Sequence, residues 1–140
     1  MIFASIGRDH REAVTHDTQQ EFPWGRQMYM QPVSEAEVKD EYGGDFRRLF
    51  PWPDTVETPW GSAWMTIKPG TSSMPHSHGE RETFIILSGG GEMRVGEERR
   101  PVVKGDVIYL PPFSEHSLTN TSADQALELL CIWWDEEKAA

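Results

Sequence analysis

From Trp60 onward, apolar and polar residues alternate in short runs that Gly and Pro interrupt. Ser62 to Lys68 puts Ala63, Met65 and Ile67 on one face, as a half-buried strand requires, and Pro69-Gly70 ends it. Thr83 to Leu87, Glu92 to Val95, Pro101 to Val103, Val107 to Leu110, His116 to Asn120 and Leu127 to Trp134 follow as further strands. Gly89-Gly90-Gly91, Gly96-Glu97-Glu98, Lys104-Gly105 and Pro111-Pro112 supply the turns between them. Short strands at nearly even spacing predict an all-β domain, closed or sandwiched, and a jelly roll protects its edges most compactly.

Upstream the pattern is weaker. Residues 1–22 are polar and read as an arm or an edge strand. Ser34 and Glu37 then have capping-box spacing, Val33 and Val38 stand as a hydrophobic staple, and Gly43-Gly44 offers a stop. Together they predict a short helix from Glu35 to Tyr42. The division expected is an N-terminal arm and short helix over residues 1–58, packing on a β-domain over residues 59–140.

The chain has 140 residues, enough for one core and one site. Its 23 acidic against 13 basic residues leave a net charge of −10, which disfavours nucleic acid and anionic membranes as partners. The small-molecule substrate expected as partner rests on the metal-ligand set instead. Met1 to His10 lacks the basic start and apolar run of a signal peptide, and the apolar stretch Ala126 to Trp134 is too short to span a bilayer. The lone Cys131 excludes an intramolecular disulfide and favours a reducing compartment, so the expectation is a cytoplasmic protein with Cys131 inert in a core strand.

His76 and His78 are two residues apart, so on a strand both imidazoles project from one face toward a single ion. Glu82 follows after Gly79, where the chain can turn, and His116 comes from a distant strand. Three nitrogens and one carboxylate oxygen suit one divalent metal: zinc, iron, manganese, nickel or copper. Glu80 competes with Glu82 for the carboxylate position, while His10 and His16 fit no pattern and read as solvated.

At these residues the sequence resembles the cupin superfamily. The first cupin motif, Gly-x5-His-x-His-x3,4-Glu-x6-Gly, is met by Gly70, His76, His78, Glu82 and Gly89. The second, Gly-x5-Pro-x-Gly-x2-His-x3-Asn, is met by Gly105, Pro111, His116 and Asn120. Phe113 stands where the pattern has glycine, which puts the shape of the Pro111 to Ser114 turn in question. The resemblance implies a double-stranded β-helix barrel and a metal held by His76, His78, Glu82 and His116, with Glu82 favoured over Glu80 by the motif spacing.

Tyr109 and Glu115 border the second motif and are the candidate catalytic or ligand-orienting residues. Trp133 and Trp134 are neighbours on one strand and cannot both face inward, so one lines a pocket or meets a partner subunit; a homodimer is expected. Pro75 to Asn120 and the ending Leu129 to Trp134 are further similar to the zinc-binding cupin of hydrazine synthetases. That similarity implies a redox-neutral rearrangement forming a nitrogen–nitrogen bond, zinc as the metal, and a separate synthetase-like partner that supplies an ester. An iron-dependent dioxygenase and a non-catalytic ligand-binding cupin are the competing readings.

Overall fold

Nine strands carry the structure, a computed structural model that describes residues 28–139. The chain divides into two compact units, Met1–Gln31 and Pro32–Ala140, and the fold is that of the second. The expected N-terminal arm, His10, His16 and Trp24 lie outside the described residues.

The strands are β1 (Val38–Glu41), β2 (Gly44–Phe50), β3 (Trp60–Ile67), β4 (Arg81–Ser88), β5 (Gly90–Val95), β6 (Glu98–Val103), β7 (Val107–Leu110), β8 (His116–Thr119) and β9 (Leu127–Trp134). They form a six-stranded sheet in the order β1-β2-β3-β9-β4-β7 and a three-stranded sheet in the order β6-β5-β8. All pairings are antiparallel. Every strand expected downstream of Trp60 is present. Pro101, which cannot donate to a ladder, sits on β6 at a sheet edge.

The helix expected over Glu35 to Tyr42 does not form. Val33–Glu35 makes one 3-10 turn, and β1 then pairs with β2 through a two-residue hairpin turn at Tyr42-Gly43. Both turn residues have positive φ, 56° and 85°, as a type I′ turn demands. Of the glycine pair that suggested a helix stop, Gly43 forms this turn and Gly44 opens β2. The capping signal failed because Ser34 lies within the 3-10 turn, and Pro32 at the cap makes no side-chain hydrogen bond. As a result the six-stranded sheet begins at Val38, upstream of residue 59.

Inward-facing residues stack in layers across the large sheet. Ile67 and Leu127 lie side by side at one end. The next layers run Phe46–Met65–Leu129–Ile86 and then Ala63–Cys131–Phe84–Ile108. From the opposite sheet, Met93, Val102 and Leu118 join the same buried cluster. At the far end the layer becomes Gly61–Trp133–Glu82–Leu110, where a carboxylate replaces a hydrocarbon. The core thus grades into a site along its own axis.

Asn120 fixes the loop that follows β8. Only 1% exposed, it donates from Nδ2 to the carbonyls of Ile67 (2.9 Å) and Gln125 (2.8 Å), and its Oδ1 accepts from the Ser122 amide (3.0 Å). Asn120→Ala removes these hydrogen bonds and strands the Ile67 carbonyl, at a cost of about 3 kcal/mol. Urea denaturation of the full chain checks this; a loss below about 0.5 kcal/mol would show that water replaces the amide at no cost.

Candidate metal centre

The residues between β3 and β4 run antiparallel beside β8. Ser72 bridges Thr119, and His76 and His116 exchange backbone hydrogen bonds, His76 N to His116 O at 3.3 Å and His116 N to His76 O at 3.0 Å. The Ser73 amide donates to Leu118 O (2.8 Å), while Ser73 Oγ accepts from the Leu118 amide (2.8 Å). This ladder holds the histidine loop against the small sheet, while Glu82 projects from β4 in the large one. The two sheets meet at the four residues.

His76, His78, Glu82 and His116 each offer one ligand atom, all within 4.8 Å of one another. The orientation of each imidazole follows from its other nitrogen. His76 Nδ1 donates to Met74 O (2.9 Å), His78 Nδ1 to Glu80 O (3.1 Å) and His116 Nδ1 to Ser114 O (2.9 Å). A carbonyl oxygen can only accept, so Nδ1 carries the proton and the Nε2 lone pair is left for a ligand role. Glu82, not Glu80, lies among these nitrogens: its Oε1 is 3.3 Å from Nε2 of both His78 and His116. Glu80 faces the back of His78, its Oε2 3.1 Å from Nδ1.

His116 is 2% exposed, and its Nε2 is buried without a hydrogen-bond partner. An orphaned buried nitrogen costs about 1–3 kcal/mol unless something binds it. Lone pairs converging from three imidazoles and a carboxylate repel one another, and a cation at their centre relieves both costs. The donor set therefore fits a divalent metal of the zinc, iron, manganese or nickel kind.

The charges respond to this arrangement. The hydrogen bond to Glu82 raises the His78 pKa above 6.5 against the effect of burial. Burial lowers that of His76 despite its bond to Met74 O, and the neighbouring His116 and His78 add to the effect. Burial would raise the Glu82 carboxyl, but the facing imidazoles of His116 and His78 outweigh it and hold the group below 4.5. Burial, and then the Glu82 charge, push the Cys131 thiol well above its ordinary range, so Cys131 is inert.

A cavity of about 530 Å³ opens beside the cluster, lined among others by His76, His78 and Glu82 and by Tyr42, Phe46, Arg48, Phe84 and Trp133. Tyr42 stacks on His76 with ring centroids 5.0 Å apart, and Met74 N donates to Tyr42 O at 2.7 Å. Trp133 faces this cavity and Trp134 the outer surface, as strand alternation requires. Tyr109 and Glu115 are elsewhere. Tyr109 is on the outer face beside Trp134, and Glu115 pairs with Arg94 at 2.8 Å. Neither lines the cavity. Phe113 adopts φ 62°, the left-handed conformation that glycine takes at low cost, and Ser114 N still donates to Pro111 O at 3.3 Å. Phe113 thus holds the left-handed conformation that favours glycine at this motif position.

The profile of the Cupin domain family matches residues 63–133, half of the chain. The chain belongs to the cupin family. It is 36% identical to a cupin 2 conserved barrel domain protein from Salinispora arenicola, with a TM-score of 0.71 over 79% of this chain and 91% of that one. A Thermotoga maritima protein described as a predicted oxalate decarboxylase gives 26% identity and a TM-score of 0.66, over 76% of this cupin and 98% of that chain. An uncharacterized protein of Methanocaldococcus jannaschii is 36% identical over 63 residues, 44% of this chain and 50% of its own length. This cupin spans about half the length of the curated relatives it matches. Among the described residues, no helix is long and apolar enough to cross a membrane.

Tyr42, Phe46 and Arg48 were not legible as site residues in the sequence. The Tyr42-Gly43-Gly44 turn and the inward pair Phe46 and Arg48 were the available signals, hidden in a segment that reads as helix and arm.

Proton and metal compete for His78. Without metal, the His78 interaction stabilises the fold fully below pH 6.5 and is lost as pH rises through its raised pKa. Glu82 stabilises above 4.5 and loses that contribution as pH falls through its lowered pKa. Metal binding needs neutral imidazoles, so the stabilisation that zinc adds should grow steadily from about pH 5 to about pH 8. Melting temperatures of chelated and zinc-loaded protein across that range check this; a constant increment would contradict ligation by these histidines.

Proposed function

We propose that this cupin is a metal-dependent enzyme that acts on a small carbonyl-bearing molecule by redox-neutral chemistry. The observation that carries this reading is the unpartnered, buried His116 Nε2, which converges with His78 Nε2 and Glu82 Oε1 beside a cavity large enough for a substrate. His76, His78, Glu82 and His116 would hold the ion, with zinc favoured. When bound, such an ion supplies Lewis acidity toward a carbonyl oxygen.

The protein's own groups supply the rest. Phe46, Phe84 and Trp133 make the cavity wall apolar and exclude water from the reacting group. Glu80 accepts at the back of His78 and keeps its ring aimed at the cluster, as a carboxylate behind a ligand histidine does. Tyr42 braces His76 from the cavity side. The likeness to the Thermotoga maritima protein, described as a predicted oxalate decarboxylase, supports an enzyme acting on a carboxylic acid or its derivative. A separate synthetase-like partner would deliver an ester of an N-hydroxylated amine, whose carbonyl is a group this site can polarise.

Chelated protein reloaded with zinc or with ferrous iron separates the chemistries. Zinc-loaded protein should turn over an aminoacyl ester of an N-hydroxylated amine without oxygen, and His76→Ala with His116→Ala should abolish both metal content and turnover. Turnover only with iron and oxygen would establish a dioxygenase instead, because oxygen activation needs an ion that changes oxidation state. Ligand binding without turnover under either metal would assign a binding module.

A further inference from the structure

The part of the cavity wall formed by β2 has a different chemistry. Strand β2 alternates so that Phe46 and Arg48 share its inward face, and Arg48 is the one lysine or arginine among the described residues lining the cavity. Its guanidinium carbon lies 5.0 Å from the centroid of the Phe46 ring. The geometry is that of a cation held on an aromatic face. Among the described residues its hydrogen bonding is limited to Nη1, which donates to Glu41 Oε2 at 2.7 Å. A guanidinium presents five N–H groups in a planar fork matched to carboxylate, so Nε and Nη2 remain available.

The wall beside it is aromatic, formed by the half-buried Trp133 with the buried Phe46 packed against it. Phe46 and Trp133 stack with centroids 6.2 Å apart and planes 25° from parallel. The indole lies across β3 only because residue 61 is glycine: a Cβ there would be 2.3 Å from the ring. Glu82 belongs to the ligand cluster and Glu80 to His78, while Arg48, engaged by Glu41 through Nη1 alone, is the cation on the cavity wall with donors to spare. In a chain of net charge −10, that cation beside an aromatic wall selects for an anion with a ring.

We propose that the cavity takes a small aromatic carboxylate. Its ring packs against the half-buried Trp133, Arg48 receives its carboxylate, and a second functional group faces the histidine cluster. The proposal rests on the reading of this cavity as the substrate site of a metalloenzyme. Glu41 already sets a carboxylate on Arg48, so it is an internal competitor for the ligand's acid group.

The test titrates the full zinc-loaded chain with phenylacetate, phenylethanol and cyclohexylacetate, following tryptophan fluorescence and heat, with zinc content measured on every preparation. Phenylacetate should bind at least about tenfold more tightly than either control, since one loses the charge-assisted hydrogen bonds and the other the ring face. Arg48→Gln should weaken phenylacetate binding about tenfold or more at unchanged zinc content, Arg48→Lys should restore part of it, and Glu41→Gln should strengthen it. Equal affinity in Arg48→Gln would overturn the proposal, as would phenylethanol or cyclohexylacetate binding as well as phenylacetate. Weakening in Glu41→Gln matching that in Arg48→Gln would also overturn it, because the broken ion pair would then be the cause. Arg48-dependent binding in protein that takes up no zinc would leave this inference standing while the metalloenzyme reading falls. A normal zinc content with binding indifferent to Arg48 would do the reverse.

Discussion

Two reciprocal backbone hydrogen bonds between His76 and His116 hold the molecule's chemistry together. They tie a loop that follows β3 to a strand of the opposite sheet, far along the chain. Without that bridge the two histidines would belong to separate elements with no common geometry. With it, their ligand atoms converge and Glu82 of the large sheet closes the group. The Nδ1 bonds to carbonyls two residues away need no further side chains, so the ligand set is oriented largely by its own backbone. That economy suits a small domain, in which few residues are free to act as supports.

The same strands that bury the core also deliver the site. On β9, Leu127, Leu129, Cys131 and Trp133 all point inward, and the file passes from full burial to a cavity wall within one strand. On β4, Glu82 and Phe84 repeat the transition. Because strand period is two, no separate loop architecture is required to place these groups. The sheet sets the spacing of Glu82, Phe84 and Trp133, while His76 and His78 come from the loop that β8 holds in place.

Much of this was legible in the sequence from Trp60 onward. Alternation at Ala63, Met65 and Ile67 marked β3, and the paired motifs marked the four residues that the fold brings together. Phe113 was a visible departure whose effect only the backbone could decide, and its φ of 62° shows the glycine conformation retained. Upstream, the signals were ambiguous for a physical reason. A glycine pair after a polar run serves a helix stop and a type I′ hairpin equally well, and tertiary pairing of β2 with β3 selected the hairpin. Glu80 and Glu82 are both carboxylates within reach of His78; the motif spacing favoured Glu82, and the fold places Glu82 on β4 among the ring nitrogens while Glu80, just before that strand, lies behind His78. Tyr109 and Glu115 adjoin the motif in sequence but do not line the cavity: Tyr109 faces opposite to the buried Leu110 on β7, and Glu115, before β8, pairs with Arg94.

Strand β9 lies between β3 and β4 in the large sheet, although it is the last of the nine to be made. During synthesis on the ribosome, β3 and β4 must therefore wait, unjoined, until Leu127 to Trp134 emerge. Until then each exposes apolar residues and an open edge to any other nascent chain, and such long-range pairing is slow to form. A premature stop between Leu110 and Leu127 would remove the central strand itself, leaving two unattached pieces of the large sheet, β1-β2-β3 and β4-β7, for the cell's proteases in place of a shortened barrel.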